Sequence, residues 1–123
     1  MRILTVDDDD NALQMLNLLL TEAGYEVVSA RNGREAMAIL RTGDCQLVVT
    51  DWEMPVMNGL DALRRMRALN PALATIVITG AARDTAWPPE IGRYWMPKPL
   101  IPRKLLELIR LLLSGPQVTG SPA

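Results

Sequence analysis

The sequence predicts an α/β fold in which a doubly wound parallel sheet of five strands carries helices on both faces. Short apolar segments rich in β-forming residues alternate along the chain with segments whose apolar residues recur at helical spacing. The third strand-like segment, residues 46–50, is dominated by apolar residues, which is typical of a strand covered on both faces. Because strand–helix–strand repeats form right-handed crossovers, the strands are expected to be parallel.

The first half of the chain contains three predicted strands and two predicted helices. The strands cover residues 3–6, 25–30 and 46–50, and the helices cover 11–23 and 34–42. Gly24 is the expected stop of the first helix. The residues predicted to face inward are Leu13, Leu16 and Leu20 with Met15 and Leu19 beside them in the first helix, and Ala36, Ile39 and Leu40 in the second.

The second half supplies a helix over 60–69, strands over 74–79 and 93–96, and a last helix that begins near Pro102. Their inward residues are predicted to be Leu60, Leu63 and Met66 in the first of these helices, and Leu105, Leu108, Ile109 and Leu112 in the last. Residues 114–123 lack apolar periodicity and are expected to be a disordered tail or the start of a linker. The domain is therefore predicted to span residues 1–113.

Composition narrows the classes of function. The 123 residues suit one domain, and the net charge of −1 gives no general attraction to nucleic acid or to a membrane surface. The absence of histidine excludes histidine-based zinc sites, nucleophile pairs and general bases. The single Cys45 is expected to be a buried hydrophobe in a reducing compartment. No segment suits membrane insertion, and the cytoplasm is the expected location.

Polar and charged residues follow four of the predicted strands. Asp7 and Asp8 follow the first strand, Asp51 the third, Thr79 ends the fourth, and Lys98 follows the fifth. The carboxyl ends of parallel strands lie at one edge of a sheet, where ligands of such folds bind. These side chains are therefore expected to form one site.

The three carboxylates require a cation. Two like charges about 4 Å apart repel by roughly 4 kcal/mol at an effective dielectric constant of 20. Oxygen ligands without nitrogen or sulfur suit a hard cation, and Mg²⁺ binds one or two carboxylates and shares its other positions with water and phosphate. We infer a Mg²⁺ site with Asp8 and Asp51 as direct ligands and Asp7 acting through water.

A carboxylate at such a site can attack phosphorus and form an acyl phosphate. Phosphoryl transfer depends on neutralising the equatorial oxygens, for which Lys98 and the Thr79 hydroxyl are candidates. The small Gly80 would leave room for the incoming group. The candidate backbone donors to the remaining oxygen are the N–H groups of Trp52, Glu53 and Gly80.

Four motifs carry a family resemblance. They are Val6-Asp7-Asp8, Thr50-Asp51-Trp52-Glu53-Met54-Pro55-Val56-Met57-Asn58-Gly59, Ile78-Thr79-Gly80 and Lys98-Pro99. Together they resemble the response-regulator receiver family of two-component signalling, the CheY-like proteins, over residues 1 to about 113. The spaced set is specific, although an Asp-Asp pair alone would be a weak signal.

The resemblance implies a flavodoxin-like sheet with strand order 2-1-3-4-5 and a cis Lys98–Pro99 bond. It implies that Asp51 is the phosphoacceptor and that the backbone carbonyl of Glu53 binds the metal. The donor would be a phosphohistidine on a sensor histidine kinase or phosphotransfer protein. The resemblance also implies a self-modifying switch that acts on a downstream effector, not an enzyme with an external product, and a monomer or weak homodimer.

Two aromatic residues have open roles. Trp95 stands three residues before Lys98, where the family often has a switch aromatic, but it could equally cover the core. The segment between Thr79 and Lys98 is shorter than is usual in the family and contains Trp87-Pro88-Pro89, so its helix is expected to be short, irregular or absent. Trp87 could plug the core or contact a partner.

Two alternative functions remain open on the sequence. A binding module could keep the fold and signal without phosphate, through the altered segment 87–92. A phosphatase of the haloacid-dehalogenase type also uses an Asp-x-Asp after its first strand, and Asp7-x-Asp9 fits that pattern loosely. Such phosphatases normally need a longer chain with further acidic motifs.

Overall fold

A computed structural model describes the backbone of residues 2–51, 59–80 and 94–120, and the side chains of 2–51, 64–80 and 94–113. In these segments five strands form one parallel sheet in the order β2-β1-β3-β4-β5, as the sequence predicted. The elements are β1 Arg2–Val6, α1 Asp10–Glu22, β2 Glu26–Ala30, α2 Gly33–Leu40, β3 Leu47–Asp51, α3 Gly59–Leu69, β4 Ala74–Thr79, β5 Trp95–Pro97 and α4 Pro102–Gly120.

The sheet separates two apolar cores. Alternate residues of each strand face opposite sides, so Leu4 and Val48 lie in one core while Ile3 and Val49 lie in the other. The first core is completed by α2 and by Met66 of α3. The second is completed by residues of α1 and α4, namely Leu16, Leu20, Leu105 and Ile109. This covering of both faces explains why β3 is buried along its whole length.

Local hydrogen bonds define both ends of α1, the helix that connects β1 to β2. Asp9 caps the start of α1, because its side chain accepts the N–H of Asn11 at 3.0 Å. After α1, Gly24 adopts a φ of 96°, a left-handed conformation that favours glycine, and the next N–H, of Tyr25, donates to the Leu20 carbonyl at 3.1 Å. Gly24 therefore ends α1, as predicted.

The inward faces of the helices were predicted with some errors. Leu13, Leu16 and Leu20 are buried, but Met15 is 74% exposed and was wrongly placed inward. The reason is angular: at 100° per residue, Met15 projects well away from the direction that these three leucines share. In α2 the prediction missed Met37, which is buried, whereas Ile39 is only partly buried.

The last helix differs from the expectation for the chain end. Its backbone continues to Gly120, across most of the segment expected to be disordered. The helical backbone therefore extends past the last apolar contacts and includes Pro116, which has no N–H to donate. The boundary of the packed domain at residue 113 stays a prediction, since the last described residues packed against a core are Leu112 and Leu113.

The predicted short or irregular helix before β5, and with it Trp87, lies outside the described residues. None of the helices that the structure describes combines the length and the apolar character needed to cross a membrane. Cys45 is 2% exposed, in agreement with the predicted buried hydrophobe.

Candidate functional site

The candidate site lies where β1, β3, β4 and β5 end. The register pairs Val6 of β1 with Thr50 of β3, so Asp7 and Asp51 follow directly at the same level. On the other side of β3, Asp51 pairs with Ile78, immediately before Thr79. Parallel pairing in the predicted order therefore brings the carboxylates and the hydroxyl to one edge.

Three carboxylates meet at this edge. One oxygen from each of Asp7, Asp8 and Asp51 lies within 4.8 Å of the others. Asp7 and Asp51 are buried, with 7% and 6% of their surface exposed, whereas Asp8 is exposed. The cluster therefore has two carboxylates fixed in the protein and one at the solvent side.

Asp7 is held from two sides. Its backbone N–H donates to the carbonyl of Ala30 at 3.1 Å, and its side-chain Oδ1 accepts the N–H of Asp9 at 2.9 Å. Burial, together with the nearby charge of Asp51, raises the pKa of Asp7 to about 6, and the hydrogen bond from Asp9 opposes the rise. Burial therefore disfavours the ionised form of Asp7 in the metal-free site.

The donor set fits Mg²⁺. The cluster offers three carboxylate oxygens close enough together to hold a metal ion and contains no nitrogen or sulfur donor among its three members. Burial, and after it the charge of Asp51, raises the pKa of Asp7, so three carboxylates beside one ammonium carry more negative than positive charge once Asp7 is ionised. A divalent cation would remove that excess, which supports the ion inferred from the sequence.

Lys98 reaches the cluster from β5. Its Nζ lies 3.3 Å from Oδ2 of Asp51, and its backbone N–H donates to the carbonyl of Thr79 at 2.9 Å. The Lys98–Pro99 bond is cis, as the family resemblance implied. With 42% of its side chain exposed, Lys98 remains open to an incoming group on the solvent side.

Thr79 and Gly80 flank the cluster on β4. Thr79 is fully buried. A Cβ placed on Gly80 would lie 3.9 Å from the Lys98 Cδ, an ordinary contact distance. A residue with a Cβ would therefore fit at position 80 without a clash in this structure. Trp52 and Glu53 lie outside the described residues, so their backbone roles stay predictions.

Trp95 lies on β5 and packs against the core on the α2 and α3 side. Its neighbours in sequence, Tyr94 and Met96, pack against the opposite core. Trp95 is only half-buried, so part of its surface remains at the solvent side of the edge strand. Trp95 therefore covers part of this core, and its role as a switch aromatic stays a prediction.

Sequence reasoning missed a polar contact set beneath α1. Thr5, Asn17 and Ser29 meet on the face of the sheet that α1 covers, with each pair within hydrogen-bonding distance. The available signal was a polar residue at an inward strand position: Thr5 stands between Ile3 and Asp7 on the same face of β1. The role of Asp9 as a donor to Asp7 was also missed.

Comparisons with known proteins agree with this geometry. The family model described as response regulator receiver domain matches residues 3–110. A response regulator receiver protein of Anaeromyxobacter sp. (strain Fw109-5) is 34% identical over 112 residues, which make up 87% of this chain and 46% of that protein. The transcriptional regulatory protein GlrR of Escherichia coli (strain K12) is 35% identical over 77 residues, or 63% of this chain and 17% of that protein.

Solved structures show the same likeness. A CheY-like response regulator receiver domain from Methanospirillum hungatei JF-1 matches with a TM-score of 0.88 and 31% identity, covering 96% of this chain and 97% of the other. The response regulator protein TrrA from Thermotoga maritima, in complex with Mg²⁺ and BeF, matches with a TM-score of 0.82 and 31% identity, covering 90% and 97%. This chain spans less than half the length of the two curated relatives described above.

Proposed function

This chain belongs to the response regulator receiver domain family of two-component signalling, and from that membership we propose that Asp51 accepts a phosphoryl group in a Mg²⁺-dependent reaction. The observation that carries the assignment is the position of Asp51. It is buried in the cluster of three carboxylates, and Lys98 Nζ approaches one of its oxygens at 3.3 Å. A carboxylate that contacts both a cation-binding cluster and an ammonium is suited to act as a nucleophile toward phosphorus.

The proposed reaction is one in-line displacement. A carboxylate oxygen of Asp51 forms a bond to phosphorus as the bond from phosphorus to the donor breaks, and the donor group keeps the electron pair. With a phosphohistidine donor, the bond that breaks is P–N, and the product is an aspartyl phosphate. The nucleophile is the carboxylate form of Asp51, so the step itself transfers no proton from this residue.

Three groups in the chain would stabilise the transferring phosphoryl group. Lys98 neutralises one oxygen from the solvent side, and the Thr79 hydroxyl donates to a second. The backbone N–H groups of Trp52 and Gly80 are candidates for the third. Asp8 and Asp51, with Asp7 acting through water and the Glu53 carbonyl as a further ligand, would hold Mg²⁺, and the bound ion would supply positive charge next to the acceptor and the phosphoryl oxygens.

The partners follow from the family. Receiver domains are signalling domains, not classical enzymes, and they interact with histidine kinases or phosphotransfer proteins and with effectors. We propose a sensor histidine kinase or phosphotransfer protein as donor for this chain. The effector would be a domain or protein whose affinity for the phosphorylated form differs from that for the free form.

The phosphatase alternative receives no support from Asp9. Its carboxylate accepts the N–H of Asn11 as the α1 cap, and its own N–H is bound by Asp7. Asp9 therefore serves the turn between β1 and α1, whereas the Asp-x-Asp pattern would need its carboxylate at the reaction centre.

The test is phosphorylation with a small donor. The chain is incubated with acetyl phosphate and MgCl₂, and intact-mass spectrometry measures the addition of one phosphoryl group. We expect the adduct in the wild-type chain and in Asp44→Asn, a matched change at an exposed aspartate on the opposite edge. We expect no adduct in Asp51→Asn or with excess EDTA. An adduct that survives Asp51→Asn would overturn the assignment.

A further inference from the structure

We propose that Thr5, Asn17 and Ser29 form a hydrogen-bonded ring that positions Asp7 and Asp8 for Mg²⁺. The ring joins the three elements that meet at the acidic pair: β1, α1 and β2. Thr5 Oγ1 donates to Asn17 Oδ1 at 2.9 Å, Asn17 Nδ2 contacts Ser29 Oγ at 2.6 Å, and the two hydroxyl oxygens lie 2.9 Å apart. This inference rests on the proposed metal-dependent function.

The number of protons on each group determines which residue donates in each hydrogen bond of the ring. A threonine hydroxyl has one proton, and Thr5 gives it to Asn17. The contact between Thr5 and Ser29 must then use the serine proton, and the Asn17 amide donates to Ser29. Each member therefore both donates and accepts one hydrogen bond, an arrangement in which the bonds strengthen one another.

The ring lies in apolar surroundings. Thr5 is fully buried, and Asn17 of α1 and Ser29 of β2 are half-buried where the helix covers the sheet. Nearby residues of the same helix face, Leu13, Leu16 and Leu20, are buried leucines. The hydrophobic contacts of leucines have no preferred direction, whereas hydrogen bonds have a preferred length and direction. The ring therefore defines where α1 sits along and around β1 and β2.

The position of α1 determines the position of Asp7. The Asp7 side chain accepts from the N–H of Asp9, the residue that caps α1, and the Asp7 backbone N–H donates to Ala30, the residue after Ser29. Thr5 is on the same face of β1, two residues before Asp7. A shift of α1 relative to β2 would thus pull Asp7 between its two anchors and move Asp8 with it.

The first experiment compares Thr5→Val with Thr5→Ser. Valine matches the shape of threonine but breaks the ring, and serine keeps the hydroxyl but loses the methyl group. Mg²⁺ binding is measured by isothermal titration calorimetry. We expect Thr5→Val to weaken Mg²⁺ binding roughly 3- to 10-fold, which is no more than the loss typical of residues that hydrogen-bond directly to a metal ligand. For Thr5→Ser we expect a Mg²⁺ affinity within about twofold of the wild-type value. Equal affinities in the two variants would overturn the proposal.

The second experiment separates positioning from stability. In the triple variant Thr5→Val/Asn17→Leu/Ser29→Ala, all polar groups of the ring are replaced together, so no buried donor or acceptor is left unpaired. We expect urea unfolding to give stability near that of the wild type, while Mg²⁺ affinity stays weakened. Wild-type affinity in the triple variant would mean that the ring only stabilises the fold.

A measurement on the metal-free protein separates the positioning of Asp7 by the ring from the proposed Mg²⁺-dependent function. Amide hydrogen exchange at Asp9 reports the Asp7–Asp9 contact in the metal-free protein. We expect faster exchange at Asp9 in the triple variant, with exchange in β3 and β4 unchanged. If the wild-type chain bound no Mg²⁺, the proposed function would fail, and the exchange at Asp9 would still support or overturn positioning by the ring.

Discussion

Charged residues lie at both ends of the parallel strands, at the amino edge where the strands begin and at the carboxyl edge where they end. The two edges differ in how far these charges are paired within the chain. At the amino edge, Arg2 pairs with Asp44 at 3.3 Å, and the backbone groups of Arg2 exchange two hydrogen bonds with Gln46. At the carboxyl edge, within the part of the chain that the structure describes, three carboxylates lie together, and the ammonium of Lys98 pairs with one of them, Asp51. The amino edge thus has an Arg2–Asp44 ion pair within the chain, whereas the carboxyl edge has more carboxylates than ammonium groups, a difference that a bound cation would balance.

The two edges also differ in their titrating groups. Burial raises the pKa of the Cys45 thiol at the amino edge, which keeps the thiol neutral and consistent with a packing role. Burial raises the pKa of Asp7 at the carboxyl edge to about 6, where ionisation is needed for metal binding. Burial therefore favours the neutral form of both groups, which suits the packing role of Cys45 but opposes metal binding at Asp7.

The largest expected effect is on phosphoryl transfer. Replacing Lys98 with methionine removes the ammonium next to Asp51, and we expect the rate of phosphorylation by acetyl phosphate to fall about 100-fold. Lys104→Met is the matched control, because Lys104 is the other lysine of the chain and is exposed on α4. A loss of rate in the Lys104 variant, or none in the Lys98 variant, would contradict the role of the carboxyl edge.

The next effect is a pH dependence of metal binding. With a pKa of about 6, Asp7 is mostly ionised at pH 7 and mostly protonated at pH 5. A proton and the cation then compete for the site, so the apparent Mg²⁺ affinity should fall about tenfold between pH 7 and pH 5. Calorimetric titration of wild-type and Asp7→Asn chains checks this, with a flatter profile expected for the variant over that range. A wild-type affinity that is constant over these pH values would be evidence against a metal role for Asp7.

A smaller effect concerns the stability of the metal-free protein. The folded pKa of Asp7 lies above its ordinary value of 3.8, so the folded state binds more protons between these values. The contribution of Asp7 therefore destabilises the protein most above pH 6, and this destabilisation is relieved as the pH falls toward 4. At pH 7 we expect Asp7→Asn to raise the free energy of unfolding by about 1 kcal/mol, measured with urea and EDTA. A loss of stability in this variant would show that the hydrogen bond from Asp9 stabilises the ionised carboxylate more than burial and charge repulsion destabilise it.

The smallest effect is expected at the amino edge. Asp44 is largely exposed, and its ion pair with Arg2 is open to solvent. We expect Asp44→Asn to change the free energy of unfolding by less than about 0.5 kcal/mol, as measured by urea unfolding, because surface ion pairs contribute little. An effect as large as that of Asp7→Asn would remove the contrast between the two edges.

The sequence predicted the parts of the fold that depend on pattern. Strand order followed from the family motifs, and the meeting of Asp7, Asp51 and Lys98 followed from parallel strands ending at one edge. These features depend on the period of apolar residues and on connection rules, and both can be read from one chain.

Other features depend on distances that periodicity does not specify. The outward direction of Met15, the burial of Met37 and the ring around Asn17 all depend on how a helix rotates over the sheet. A contact between side chains from β1, α1 and β2 has no local sequence signature beyond a polar residue at an inward position. The continuation of α4 to Gly120 was likewise not predicted, because apolar periodicity ends before it.

The most direct test of phosphorylation at Asp51 is chemical trapping of the modified residue. The chain is incubated with acetyl phosphate and Mg²⁺, treated with borohydride, which reduces an aspartyl phosphate to homoserine, and subjected to peptide mass spectrometry. We predict homoserine at position 51 alone, dependent on Mg²⁺ and reduced in Lys98→Met. Homoserine at position 7 or 8 instead, or at no position while the wild-type chain remains folded, would contradict the assignment of Asp51 as the phosphoacceptor.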